Sequence, residues 1–234
     1  MKKLFFIISL TVLSVYSAAA QVSHVAWDQL VKTYVSASGN VNYKGFDKTA
    51  LNDYLQTLSA NPPQSGWSAD AQKAYWINAY NAFTVSLVLE NYPLKSIKDI
   101  GGVFKSPWDK SFITIGGKTY TLNQIEHDIL RKQFNDPRIH FAIVCASRSC
   151  PVLRREAFDA SKLNGQLDEQ TKIFLNDPAR NRLSSGQISK IFDWFKNDFT
   201  QNGTLTDFIS RYADSKIDPK TSIQYLDYDW ALNE

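Results

Sequence analysis

The sequence predicts a single domain of the α+β class, with a helix-rich N-terminal part packed on a small, mainly antiparallel sheet. Helical patterns dominate the first half of the chain, and a hairpin pattern and short apolar runs follow in the second. The strand and helix patterns do not alternate regularly, as they would in a parallel sheet. The aromatic content of 13% indicates a well-packed globule rather than a disordered chain.

Residues 1–20 have the pattern of a secretory signal peptide. Lys2 and Lys3 precede a short apolar run, and small residues ending at Ala20 follow it, so we expect cleavage before Gln21. The apolar run is too short for a stable membrane span. We therefore expect a mature domain of residues 21–234 that is periplasmic or secreted.

The expected mature chain is close to electrically neutral. Without Lys2 and Lys3 it keeps 24 of the 26 basic residues against 23 acidic ones. Because phosphate binding requires a basic surface, we expect no nucleic-acid partner. No spacing of cysteine and histidine resembles a structural zinc site, and we expect neither a metal nor another cofactor.

The longest predicted helix runs from about residue 70 to residue 90. Ser68 is its expected N-cap, and the Tyr92-Pro93 pair ends it. This helix is apolar almost all round, which indicates a central, buried position. Asn78 and Asn81 lie one turn apart on it, and they either tie down neighbouring backbone or contact a substrate.

A hairpin and a second helix come next. Gly116-Gly117 supplies the tight turn between the alternating residues of FITIGGKTYT, and Thr121 with Gln124 forms a capping box. Glu126 falls in the middle of the apolar face of the helix that follows. A carboxylate there needs a partner or a shifted pKa, so Glu126 is either part of a structural ion pair or a catalytic group.

A buried strand is predicted from Arg138 to Cys145. Alternation puts Arg138 and His140 on the same face, where Arg138 is a candidate for substrate binding. A lone buried histidine is usually a core residue. A catalytic role for His140 is favoured by the cysteines and the unusual Glu126, which lie nearby in the sequence.

The two cysteines allow two interpretations. Cys145 ends the predicted strand, and Cys150 is expected to cap a helix that starts at Pro151, where free amides would lower the pKa of the thiol. Strand alternation turns Cys145 away from His140, so Cys150 is the preferred nucleophile, with His140 as base and Glu126 orienting the imidazole. The alternative is a non-catalytic envelope binding protein with a Cys145–Cys150 disulfide.

Two later segments have either a packing role or a place in a cleft. They are DWFKNDF, with Lys196 and Asp198, and the aromatic, acidic stretch YLDYDWALNE. Residues of these types more often serve in packing and capping.

The motifs AYWINAYNAF, ITIGGKTYTLNQIEHDILR, DPRIHFAIVCASRSCPVL and YLDYDWALN resemble, in this order, the bacterial members of domain of unknown function 547, over residues 70 to 230. The resemblance implies a fold similar to cysteine peptidases of the papain and transglutaminase kind. It also implies a carboxylate–histidine–cysteine site, which matches Glu126, His140 and a cysteine of CASRSCP. The order of these residues is the reverse of papain's cysteine-before-histidine order. The expected activity is thiol-dependent hydrolysis or acyl transfer on an amide or thioester bond of a peptide or small molecule.

Overall fold

The computed structural model describes residues 21–101, 106–215, 217–218 and 220–234. The predicted signal peptide lies outside these residues. Within the described ranges, no helix has both the length and the apolar character needed to cross a membrane.

Helices make up most of the regular structure. The α-helices are α1 (Val25–Tyr34), α2 (Lys48–Ala60), α3 (Ala69–Asn91), α4 (Lys132–Phe134), α5 (Leu163–Leu175), α6 (Ile191–Trp194), α7 (Lys196–Phe199) and α8 (Leu205–Tyr212). A π-helix (Gln124–Arg131) runs directly into α4, and 3₁₀ turns occur at Ile97–Asp99, Pro107–Asp109, Pro137–Phe141 and Leu183–Ser185. The strands are β1 (Ile113–Ile115), β2 (Lys118–Tyr120), β3 (Gln187–Ile188) and β4 (Gln224–Tyr225).

The central element is α3, as the sequence predicts. The Ser68 hydroxyl accepts a hydrogen bond from the backbone N–H of Ala71 at 3.2 Å, and the helix ends immediately before Tyr92. It is buried on nearly every side between Ala71 and Leu89, and both α2 and the π-helix pack against it. An apolar pattern without a polar face is what a helix in this position requires.

The predicted hairpin and capping box are also present. β1 and β2 pair antiparallel around Gly116-Gly117, both with positive φ, and Thr121 and Gln124 exchange their capping hydrogen bonds at 2.9 and 3.0 Å. β3 and β4 form a separate parallel pair. The α+β class is confirmed, with the strands divided between two small pieces.

The predicted strand from Arg138 to Cys145 is wrong. The chain forms a 3₁₀ turn at Pro137–Phe141, with the Asp136 carboxylate accepting from the backbone N–H of Arg138 at 3.1 Å, and then continues without regular structure. Asp and Pro at the start of a turn favour this conformation. A short apolar run by itself does not distinguish a buried strand from other buried structure.

The helix predicted after Pro151 is absent too, since residues 151–160 have no regular structure. Buried amide side chains supply the hydrogen bonds that a helix would have made internally. Gln170 donates to the carbonyl of Val152 at 3.1 Å, and Gln166 donates to the carbonyl of Ala157 at 2.9 Å. Such bonds replace backbone pairing wherever an irregular segment is buried.

The described residues form two hydrophobic clusters. The larger one surrounds α3, and the smaller one includes one phenylalanine each from the 3₁₀ turn at 137–141, α5, α6, α7 and α8. Phe141 belongs to the smaller cluster, whereas the buried apolar residues between Ala142 and Cys150 belong to the larger one. The irregular segment that carries His140 and both cysteines therefore runs along the boundary between the clusters.

Candidate functional site

A cavity of about 170 Å³ opens at the boundary between the two clusters. Its lining combines titratable side chains with aromatic ones. The lining residues are Tyr80, Trp108, Asn123, Glu126, His127, His140, Ile143, Cys145, Cys150, Pro151, Ile191, Trp194, Phe195, Tyr228 and Trp230. The cavity thus brings together the four residues that the sequence predicts as catalytic, which are Glu126, His140, Cys145 and Cys150.

Asn78 and Asn81 hold the irregular segment in place. The Asn81 amide donates to the carbonyl of Ala142 at 2.8 Å and accepts from the N–H of Val144 at 2.9 Å. Asn78 makes the same pair of bonds with the backbone of Phe158, at 2.8 and 2.9 Å. The oxygen and the nitrogen of each amide are both bound to backbone, which supports the backbone-tying role.

The loop from Cys145 to Cys150 is fixed by a distant part of the chain. Ala146 has a φ of 59°, a left-handed conformation that costs a non-glycine residue about 1 kcal/mol. The N–H groups of Arg148 and Ser149 donate to the carbonyls of Ala231 and Asp229 at 2.8 and 3.2 Å. We call residues 226–233 the C-terminal strap. It holds the loop in the strained conformation that orients the Cys145 sulfur.

Both cysteines are free thiols, and their sulfur atoms share a hydrogen bond of 2.8 Å. The backbone N–H of Cys145 donates to the Cys150 sulfur at 2.9 Å. The Cys145 sulfur also lies 3.2 Å from the Ser147 hydroxyl and 3.4 Å from the Tyr228 hydroxyl. Cys150 is only 3% exposed, whereas Cys145 is partly exposed.

These contacts make the two thiols electrostatically different. Burial alone would raise the pKa of Cys145, but hydrogen bonds from Cys150, Ser147 and Tyr228 outweigh it and lower the pKa to about 7. Burial and the neighbouring Cys145 sulfur together raise the pKa of Cys150. The helix that was expected to activate Cys150 is missing, so the geometry favours Cys145 as the reactive thiol.

Glu126 is buried, as its place on the apolar face predicts, and its partner is a tyrosine. The Tyr80 hydroxyl donates to Glu126 Oε2 at 3.2 Å. Burial raises the pKa of Glu126 to about 7, which the Tyr80 hydrogen bond opposes and the nearby Cys145 sulfur reinforces. A carboxyl group with this pKa can hold or release a proton near neutral pH.

His140 is bound to Asp198 and not to Glu126. Its Nε2 lies 2.7 Å from Asp198 Oδ2, and its ring stacks on Phe195 with 3.9 Å between centroids. Arg131 donates to both oxygens of the same carboxylate, at 2.6 and 2.9 Å. Among the described contacts, no hydrogen bond joins His140 to Glu126 or to either sulfur.

The Asp198 contacts determine where the His140 proton lies. Burial opposes ionisation of Asp198, but the hydrogen bonds from His140 and Arg131 hold its pKa well below the usual range. An ionised carboxylate only accepts hydrogen bonds, so His140 carries its proton on Nε2 and has a free lone pair on Nδ1. Burial lowers the pKa of His140 despite the Asp198 hydrogen bond, which favours the neutral ring.

Arg138 lies away from the cavity and is engaged in ion pairs. Its guanidinium donates to Asp136 at 2.8 and 2.9 Å and to Asp168 at 2.6 Å. These bonds join the 3₁₀ turn at 137–141 to α5. These ion pairs give Arg138 a structural role, and its expected role in substrate binding stays a prediction.

Several residues in or next to the cavity were not among the predicted site residues. Trp194, Tyr228 and Trp230 line it, and Asp198 binds His140 beside it; all four lie in the two segments for which packing was the favoured interpretation. Their clustering of aromatic and acidic residues was the available signal. His127 also lies at the cavity and contacts Arg131 at 3.1 Å.

In the ranges that the structure describes, no three side chains of histidine, cysteine, aspartate or glutamate lie close enough together to hold a metal ion.

Comparison with known proteins gives a family relationship for the middle of the chain. No curated protein and no solved structure matches the chain. The match of a family model covers residues 64–175, which include α3, Glu126, His140 and both cysteines, but not Asp198 or the C-terminal strap. Residues 64–175 are thus similar to the family described as "Protein of unknown function, DUF547".

Proposed function

We propose that this protein is a thiol-dependent hydrolase or acyltransferase that acts on an amide or thioester bond. The observation that carries the proposal is the state of Cys145. The residue is partly exposed and lines a cavity, the pKa of its thiol is lowered, and it shares that cavity with a histidine held by an ionised carboxylate. This combination is typical of an activated cysteine nucleophile.

In the first step the Cys145 sulfur attacks the carbonyl carbon of the substrate, and a carbon–sulfur bond forms. The proton of the thiol passes to Nδ1 of His140, and the leaving amine or thiol takes that proton as its bond to the carbonyl carbon breaks. Asp198 keeps the imidazole in the required tautomer throughout. The product of this step is a thioester on Cys145.

In the second step water, or another nucleophile, attacks the thioester. His140 accepts a proton from the attacking group, the carbon–sulfur bond breaks, and the thiol is regenerated. The Tyr228 hydroxyl, 3.4 Å from the sulfur, is placed to donate to the carbonyl oxygen as negative charge develops on it.

Glu126 takes a different role from the one expected from the sequence. Because Asp198 already orients His140, Glu126 acts on the thiol directly through charge. A protonated Glu126 permits the neighbouring thiolate, whereas an ionised Glu126 opposes it. The carboxyl and the thiol together therefore set the pH range in which the nucleophile is available.

The test combines alkylation with trapping of the acyl group. We expect iodoacetamide to modify Cys145 before Cys150, with a half-maximal rate near pH 7, below the value of about 8.5 for a free cysteine. Incubation with small aryl and alkyl thioesters, followed by peptide mass spectrometry, should then show an acyl group on Cys145. The Cys150→Ala variant serves as the control, since Cys145 should still be alkylated and acylated there, with the half-maximal pH moved upward because the hydrogen bond from Cys150 is lost. An acyl group found on Cys150, or on neither cysteine, would overturn the proposal.

A second candidate function depends on the contact between the two sulfurs. The two sulfurs are 2.8 Å apart, so a disulfide oxidant such as oxidised glutathione could convert them to a disulfide. The oxidant takes up the two electrons and two protons that the cysteines lose, and it leaves as two thiols. A permanently bridged pair favours a non-catalytic binding protein of the envelope. Thiol counting on protein purified without reductant separates the two functions, because an enzyme retains a titratable Cys145.

Export is part of the same proposal. If residues 1–20 direct secretion, the reaction takes place in the periplasm or outside the cell, on envelope peptides or small molecules. N-terminal sequencing of the exported protein tests this, with Gln21 as the expected first residue. An unprocessed chain beginning at Met1 would contradict it.

A further inference from the structure

We infer that the cavity beside Cys145 is the pocket for the acyl side chain of the substrate, and that it takes one neutral, apolar group the size of a benzene ring. The inference rests on the proposed function, because it assigns a part of the substrate to the same site.

An aromatic wall forms one side of the cavity. It consists of Trp108 from the 3₁₀ turn at 107–109, Trp194 from α6, and Tyr228 and Trp230 from the C-terminal strap. The rings of Tyr228 and Trp230 are 4.6 Å apart between centroids, and those of Trp194 and Tyr228 are 4.8 Å apart. Trp194 is nevertheless 43% exposed. Contiguous aromatic faces left open beside a cavity are typical of ligand contact.

The wall is in direct contact with the proposed nucleophile. The Tyr228 hydroxyl lies 3.4 Å from the Cys145 sulfur, and the Tyr228 ring packs against Trp194. A carbonyl carbon bonded to that sulfur therefore lies beside the wall. The substituent on that carbon is the part of the substrate that meets the aromatic rings.

The size of the cavity limits what that substituent can be. An apolar protein cavity of about 150 Å³ binds benzene, and the cavity beside Cys145 measures about 170 Å³. A phenyl ring or a branched aliphatic chain fits this space. Several residues of a peptide are larger than this volume.

The electrostatics of the cavity favour an uncharged group. The titratable side chains that face it besides the thiols and Tyr228 are Tyr80, Glu126, His127 and His140, and burial shifts the pKa of each toward its neutral form. A negatively charged substituent would be desolvated there without a cation, and a positively charged one would meet a Glu126 carboxyl that is half-protonated near pH 7. The ammonium of Lys98 already lies 4.0 Å from the centre of the Trp230 ring, which disfavours a second cation on that ring.

The experiment separates binding from chemistry by using the Cys145→Ser variant, which cannot form a thioester. Phenylacetamide, isovaleramide and acetamide are the probes, and dissociation constants are measured by tryptophan fluorescence and by NMR titration. We expect phenylacetamide to bind about tenfold more tightly than acetamide, since about 1.4 kcal/mol of apolar burial gives that ratio. Adding Trp194→Ala should weaken phenylacetamide binding at least fivefold.

The controls use side chains of the same kind. Trp194→Phe should keep most of the preference, because it retains an aromatic face. Tyr225→Ala changes another exposed aromatic residue, which lies directly before the strap and does not line the cavity. It should leave every dissociation constant unchanged.

The possible results distinguish the pocket from the function. Equal binding of the three amides would overturn the pocket. Preferential binding of phenylacetamide, combined with no acyl group on the wild-type Cys145 after incubation with phenylacetyl thioester, would keep the pocket and overturn the proposed function. Acylation of Cys145 without preference among phenylacetyl, isovaleryl and acetyl thioesters would keep the function and overturn the pocket.

Discussion

Two carboxyl groups lie near the same cavity, and their surroundings differ. Asp198 is held by a guanidinium and an imidazole, which keep it ionised. Among the described contacts, Glu126 has a hydrogen bond only to the Tyr80 hydroxyl, and burial raises its pKa to about 7. The comparison shows that a buried carboxyl group with cationic partners stays ionised and can accept a hydrogen bond from a histidine. A buried carboxyl group without such a partner has a raised pKa and can gain or lose a proton near neutral pH.

The largest expected effect comes from Asp198→Asn, which removes the ionised carboxylate and leaves Arg131 without its partner. We expect a loss of about 3 kcal/mol in the free energy of unfolding, measured in urea. Thioester hydrolysis should fall by about 10²–10⁴-fold, because the tautomer of His140 is no longer fixed.

The matched control is Asp128→Asn. It breaks the exposed ion pair between Asp128 and Lys132, which lie on the helical segment that also carries Arg131. It should cost no more than about 0.5 kcal/mol and leave hydrolysis unchanged. Equal effects of the two substitutions would show that Asp198 has no special role.

Tyr228→Phe has a smaller effect and concerns the thiol. It removes one hydroxyl that stabilises the Cys145 thiolate, so the pKa of Cys145 should rise by about one unit. The thiolate forms as pH increases through this pKa, so the pH of half-maximal alkylation should move upward from about 7. Tyr225→Phe is the control and should leave the alkylation profile where it is.

Glu126→Gln is expected to have the smallest effect, and it tests the role of the carboxyl group that has no cationic partner. Glutamine resembles the neutral carboxyl in shape and charge, so the fold should be retained. The pKa of Cys145 should fall slightly, because an ionised Glu126 no longer opposes the thiolate at pH 7–8. Alkylation rates between pH 6 and 8 are the measurement, and a clear decrease would indicate that Glu126 activates the thiol by another route.

The regular elements of this fold could be predicted from the sequence because their signals are local. Ser68 marks the start of α3, Tyr92-Pro93 marks its end, and Thr121 with Gln124 caps the next helix. Each of these signals depends on residues only a few positions apart. Glu126 could be found for the same reason, since its unusual position shows on the face of a single helix.

The pairings in the site could not be predicted, because they join distant residues. Asp198 lies 58 positions from His140, and no local spacing relates the two. The segment between Arg138 and Cys145 is apolar apart from His140, a pattern that a buried strand and a buried irregular segment share. Strand alternation was the basis for preferring Cys150 over Cys145, so without the strand that preference loses its sequence argument.

The C-terminal strap has a consequence for how the site comes into existence during synthesis. Cys145 is made 83 residues before Tyr228, and the loop around Cys145 is held in place by carbonyls from residues 229 and 231. Until that part of the chain has been made, the Cys145 thiol lacks the Tyr228 hydroxyl, one of the groups whose hydrogen bonds lower its pKa. Because residues of the strap complete the hydrogen bonds of the sulfur, the full lowering of the Cys145 pKa is reached only as the domain finishes folding.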